Sequence, residues 1–184
     1  MKENSAASDD VGLIIKALAF AAHKHRDQRR KDINASPYIN HPISLADLLY
    51  HKGGVDDVVV IVGALLHDTI EDTNTTLVEL TAEFGSGISS VVLEVTDDTN
   101  LNRATRKQVQ IERAAQISDK AKLITLADKI CNLQDMLTQP PASWDLDRKQ
   151  EYFNWAKRVV DQIRGTNSKL EAIFDDIYSR RPEA

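Results

Sequence analysis

His67 and Asp68 stand side by side at the end of the apolar run Gly63-Ala64-Leu65-Leu66, and two further carboxylates, Glu71 and Asp72, follow one helical turn later. An imidazole nitrogen beside carboxylate oxygens is a donor set for a divalent metal ion. Two residues elsewhere extend it: His41 in Tyr38-Ile39-Asn40-His41-Pro42 and Asp128 in Leu126-Ala127-Asp128-Lys129. Mixed nitrogen and oxygen donors suit manganese, iron(II) or zinc, and the lack of thiolate pairs speaks against a structural zinc site. Four protein ligands on an ion that accepts six leave room for water and substrate. Such an ion acidifies water and polarises a phosphoryl oxygen. Together His41, His67, Asp68 and Asp128 predict a metal-dependent phosphohydrolase.

Spacing supports the grouping. His67 and Glu71 are four apart, as are Asp68 and Asp72, so on a continuous helix each pair stacks with β-carbons about 5–6 Å apart. One pair would then bind metal while the next reaches substrate or water. Thr69 and Asp72 also have the residue types of local helix caps, and spacing leaves that reading open. Asp128 lies in a strongly apolar helical run with Asn132 one turn on. A buried carboxylate costs on the order of several kcal/mol unless paired or metal-bound. Lys129 is the obvious ion-pair partner, but neighbouring helical residues point about 100° apart, which favours metal ligation.

Charge points to the ligand class. The net charge of −5 argues against duplex nucleic acid, whose phosphates need a broad basic face. Locally, Lys24, Arg26, Arg29, Arg30 and Lys31 crowd together, and Arg103, Arg106 and Lys107 form a second basic group. Such clusters also occur as solvated helix ends. Beside a metal motif they favour a small phosphorylated ligand. Tyr38, just before His41, is placed to touch its ring or sugar, whereas Trp144, Tyr152, Phe153 and Trp155 read as core.

The elements that must position these residues are helical almost throughout. Val11, Ile14, Leu18 and Ala21 recur at helical spacing after Asp9 or Asp10 as N-cap. A polar loop spans about 28–41, and Pro42 opens a short helix that stops at Gly53-Gly54. The run Val58 to Leu66 is too long for an ordinary strand and reads as a buried helix. Thr76 and Glu79 form a capping box for a helix ended by Gly85. Further helices are expected over 88–95, 103–116, 120–139, from a Ser143 cap to Gly165, and through Leu170 and Ile177. No strand pair, phosphate-binding glycine loop or repeat is visible, so the expected fold is all-α.

At 184 residues and 42% hydrophobic composition, one well-cored domain over 1–184 is expected. The single cysteine, Cys131, cannot form an internal disulfide and reads as a small core residue in a reducing compartment. Neither a signal sequence nor a membrane span is evident, so a cytoplasmic location is expected. Oligomeric state leaves no signal in the sequence.

An ordered set of motifs resembles the HD-domain hydrolases of the RelA/SpoT group, and most closely the small alarmone hydrolases of the metazoan SpoT-homolog type. It comprises Ala21-Ala22-His23-Lys24-His25, Gln28-Arg29-Arg30-Lys31-Asp32, Pro37-Tyr38-Ile39-Asn40-His41-Pro42 and His67-Asp68-Thr69-Ile70-Glu71-Asp72-Thr73. It continues through Glu94-Val95-Thr96-Asp97-Asp98 and Leu126-Ala127-Asp128-Lys129 to Glu151-Tyr152-Phe153 and Gly165-Thr166-Asn167. The resemblance implies an all-α, single-domain HD fold that hydrolyses ppGpp and pppGpp to GDP or GTP plus pyrophosphate, usually with Mn(II). It implies metal ligation by His41, His67, Asp68 and Asp128, and a catalytic acidic pair in Glu71 and Asp72. Arg30, Lys31 and Asn132 match residues that hold the guanine nucleotide, with Tyr38 and Tyr152 near it; outside the resemblance, Arg103 and Arg106 of the second basic group are candidates to offset its phosphate charge. No nucleotide-synthesising domain accompanies the motifs. Gln134 replaces a frequent arginine and Cys131 a bulkier ring residue. An HD phosphohydrolase acting on NADPH or a nucleoside monophosphate would use the same metal set with a different pocket.

Overall fold

In a computed structural model, residues 3–183 are described, with side-chain surroundings from Asp9 onward. Helix α1 (Glu3–Lys24) leads into a loop and α2 (Asn40–Asp47), which widens into a π-helical turn, Leu48–Gly53, ended by left-handed Gly54. Then come α3 (Val58–Leu66), α4 (Thr69–Asp72), α5 (Leu77–Val95), α6 (Arg103–Ala114), α7 (Asp119–Thr138), α8 (Leu146–Val160) and α9 (Ser168–Ser179). Among the described residues there is no strand, only an isolated antiparallel bridge between Arg29 and Pro37. The all-α expectation holds.

Short polar residues set the helix starts. Asp57, Thr76, Asn102, Ser118, Asp145 and Asn167 each accept a hydrogen bond from a backbone N–H two or three residues on. Several sequence expectations shift. Helix α1 starts at Glu3 and runs through Asp9 and Asp10. The α8 cap is Asp145 instead of Ser143, and that helix ends at Val160. Thr76 makes its half of the capping box, but Glu79 turns away to pair with Lys24 at 2.8 Å. Gly85, as expected, breaks the helical path: it takes φ 79° and ψ 164°, open to glycine without strain, and α5 is two helical segments joined across it.

Helix α3 is apolar on every side because it is covered on every side. It packs against α1, α2, α5 and α7, and each fully buried Val, Ile or Leu contributes about 1.5–3 kcal/mol. Helix α7 is the other central rod, touching α2, α3, α5, α8 and α9. The two meet at Gly63: a β-carbon there would lie 2.8 Å from Cδ1 of Ile124, too close for any side chain without displacement. Gly63 and Ile124 lie one turn before His67 and Asp128 respectively, so this contact sits directly beneath the metal motif.

Candidate active site

The C-terminal end of α3 delivers His67. The chain does not continue as a regular helix from there: Asp68 takes φ −94°, ψ −2°, and α4 restarts at Thr69. His67 and Glu71 take separate partners. The His67 ring turns inward, where its Nδ1 hydrogen-bonds to the Ala64 carbonyl at 2.8 Å. That bond sets the tautomer of the neutral ring, with a proton on Nδ1, so that loss of the second proton from Nε2 leaves a lone pair there.

Helix α2 contributes His41 and α7 contributes Asp128. His41 Nε2 lies 3.1 Å from Asp128 Oδ1, and donor atoms of His41, His67 and Asp128 all fall within 4.8 Å of one another. Asp68 joins them: its Oδ2 is 2.9 Å from His67 Nε2 and 3.9 Å from His41 Nε2, and it accepts from the Tyr38 hydroxyl at 2.5 Å. His67 Nε2 is buried with no hydrogen-bond partner among the described residues. A buried lone pair aimed at two carboxylates fits a cation, and the nitrogen–oxygen set suits a first-row divalent metal.

Asp128 is braced on its other side. Asn132 Nδ2 donates to its Oδ1 at 2.6 Å and Lys129 Nζ to its Oδ2 at 3.0 Å. The ion pair set aside from helical geometry is therefore present together with the donor cluster. The long lysine side chain bends back over Trp155, with Nζ 4.4 Å from the ring centre and the side chain 5% exposed.

Burial alone would raise the pKa of Asp68 and Asp128. The adjacent cationic groups outweigh it, His67 and His41 at Asp68 and chiefly Lys129 and His41 at Asp128, and both carboxyls lie far below their ordinary range. His67 shows the reciprocal effect: burial lowers it, but Asp68 and Asp128 push it up to about 9. Glu71 and Asp72 behave oppositely. Burial raises both and the Asp68 charge adds to it, bringing Glu71 to about 7. Glu71 meets the Asp97 backbone N–H at 3.0 Å and Arg106 at 3.4 Å, while the Asp72 carbonyl accepts from Gln28.

All of these groups line one cleft of about 990 Å³. Arg30 crosses it to Asp135 at 2.7 Å and Asn132 at 3.2 Å, with its guanidinium 5.7 Å from the Tyr38 ring centre. Lys31 is exposed at the rim. On the opposite wall Arg103 and Arg148 flank Trp144, and Lys107 lies over Tyr152 and Trp155. Every site residue singled out in the sequence therefore borders this cleft. Trp144, Tyr152 and Trp155, read as core, also form its aromatic wall. Lys129, Asp97, Arg113 and Arg148 were not singled out as site residues, although Lys129 and Asp97 stand within the quoted motifs; Arg113 and Arg148 carried no such signal. His25 is buried, stacked 4.8 Å from Tyr38 and bonded to Gln28 at 2.5 Å. Cys131 is buried, which pushes its thiol up and away from nucleophilic use.

Helices that bring two histidines and two aspartates to one buried point, beside a cationic and aromatic cleft, define a helical metal-dependent hydrolase. The HD domain family matches residues 17–154, and the chain belongs to that family. It is 50% identical over 171 residues to guanosine-3′,5′-bis(diphosphate) 3′-pyrophosphohydrolase MESH1 of Xenopus tropicalis, covering 93% of this chain and 96% of the relative. Against the Homo sapiens protein of the same name identity is 48% over 172 residues, covering 94% and 96%. A solved structure described as "A metazoan ortholog of SpoT hydrolyzes ppGpp and plays a role in starvation responses" superposes with a TM-score of 0.89 at 44% identity, covering 92% and 95%. The resemblance read from the motifs is borne out. No helix among the described residues is long and apolar enough to cross a membrane.

Proposed function

We propose that this chain removes the 3′-pyrophosphate of ppGpp and pppGpp, leaving GDP or GTP. The observation that carries the reading is the meeting of His41, His67, Asp68 and Asp128 in a cationic cleft, on a chain about half identical to relatives named for this reaction. Those four residues would hold a divalent ion, manganese in our reading with zinc or iron(II) as substitutes, and the ion supplies a Lewis acid for phosphoryl oxygen and water. Glu71 and Asp72 orient the water that attacks the phosphorus on the ribose 3′ oxygen, and they take its proton. The bond from that phosphorus to the 3′ oxygen breaks, the water oxygen stays on pyrophosphate, and a proton returns to the 3′ hydroxyl. Arg30, Lys31, Arg103 and Arg106 offset the phosphate charge, and Asn132, Tyr38 and Tyr152 bound the nucleoside.

We read residues 1–184 as one hydrolase domain acting in a reducing compartment, the cytoplasm, as its single buried thiol suggests. The test is product chromatography with Mn(II) present. GDP and intact pyrophosphate from ppGpp are expected. Orthophosphate as the product, or inert ppGpp beside rapid turnover of NADPH or a nucleoside monophosphate, would overturn the substrate assignment.

A further inference from the structure

Besides Arg106, Glu71 is held by a residue that the proposed reaction does not use. Its Oε2 accepts from the backbone N–H of Asp97 in the turn after α5. Asp97 has a side chain only 8% exposed, and helix α6 grips it from the far side. Arg113 Nη2 donates to Asp97 Oδ1 at 3.2 Å and to the Thr96 carbonyl at 2.9 Å, and Gln110 Nε2 donates to Asp97 Oδ2. A carboxylate this enclosed persists only when its oxygens are satisfied, and these donors satisfy them. The side chain of Asp97 thereby fixes the turn whose main chain meets Glu71.

We propose that Asp97 is a positioning residue for the hydrolysis: its enclosed carboxylate, held by α6, fixes the turn whose backbone N–H aims Glu71, and places a negative charge behind that base. The proposal rests on the reading of Glu71 as a base. The two contributions act in opposite directions, since an N–H donor favours the carboxylate form and a like charge disfavours it. Other charged groups enter the balance. Asp68 and Asp72 act from the same stretch of chain and Arg106 from α6, while Arg113 and Lys129 draw on Asp97 itself. Burial is the largest influence raising Glu71, and the charges of Asp97, Asp68 and Asp72 act with it.

Asp97→Asn tests this, because the amide keeps the main-chain N–H and the shape while removing the charge. Arg113 can still donate to the amide oxygen, and Gln110 can turn its own oxygen toward the new NH2. The acid limb of the kcat/KM–pH profile is expected to move down by about one pH unit, the scale of a lost like-charge neighbour. Bound metal should be unchanged. The 13C titration of the Glu71 carboxyl in metal-free protein should move the same way, independently of turnover. Asp97→Ala, which releases the grip of α6, is expected to lower kcat about tenfold or more with KM nearly constant, as for a misaimed base. Should Asp97→Asn fail to fold, Asp97→Ser is the second variant, with the same downward shift expected. An acid limb and a Glu71 titration that both stay in place would overturn the proposal. Glu71→Gln separates the two readings. Full turnover in that variant sinks the base assignment itself, whereas lost turnover with an unmoved limb in Asp97→Asn sinks only the role of Asp97.

Discussion

Asp68 and Asp128 in the donor cluster, and Glu71 and Asp72 in the turn that follows it, are the same functional group placed in opposite company. The first two face histidines and the Lys129 ammonium, the second two face other carboxylates, and burial amplifies both effects. One pair therefore stays anionic, as a cation requires, while the other is shifted upward, Glu71 to about 7, where it can exchange a proton as hydrolysis requires. Acid–base roles in this cleft follow from neighbours more than from residue type.

The largest effect should come from breaking the anionic side. Asp128→Ala or His67→Ala is expected to lose bound metal and bring turnover to the detection limit; metal analysis of the purified variants beside the assay is the check. On the proton-carrying side, Asp72→Asn should keep its metal and still lose about 10²-fold or more in kcat, because an amide has the shape but takes no proton. If Asp72→Asn also lost metal, the two sides would not be separate.

Smaller effects sharpen the contrast. Glu71 acts as base only when ionised, and its pKa is about 7, so kcat/KM should be full above that pH and fall about tenfold per unit below it. A profile flat from pH 5 to 8 would contradict the raised carboxyl. Arg30→Ala and Lys31→Ala should each lower kcat/KM about tenfold, the scale of a charge-assisted contact. Lys24→Ala should not, since its ammonium is paired with Glu79 and does not border the cleft. Least in size, His67 near 9 carries a proton at neutral pH where a cation would sit, so metal binding should release about one proton. Calorimetry in buffers of different ionisation enthalpy would measure it.

The helices and the donor set were legible because both are written in short patterns: apolar periodicity, caps, and adjacent His and Asp. The break at Asp68 was not. A bridge-region residue inside an otherwise helical run has no compositional mark, so the interruption between α3 and α4 could not be read from spacing. The Asp128–Lys129 pair was discounted on backbone angles, which neglect a four-carbon stem long enough to return across a helix. Trp144 and Tyr152 look like core from sequence because an aromatic residue beside a cleft and one inside a core have the same local pattern. The link from Asp97 to Glu71 runs through a backbone N–H, and a sequence records side chains only.

Gly63 offers no functional group, yet it sets a dimension. With no β-carbon between α3 and α7, the helices can close to the separation at which His67 and Asp128 face one another a turn above. A larger residue there would act as a shim, pushing aside the tip of Ile124 one turn below Asp128. The floor of the donor cluster is thus packed four residues away from its nearest proposed ligand, at a residue that does not itself border the cleft.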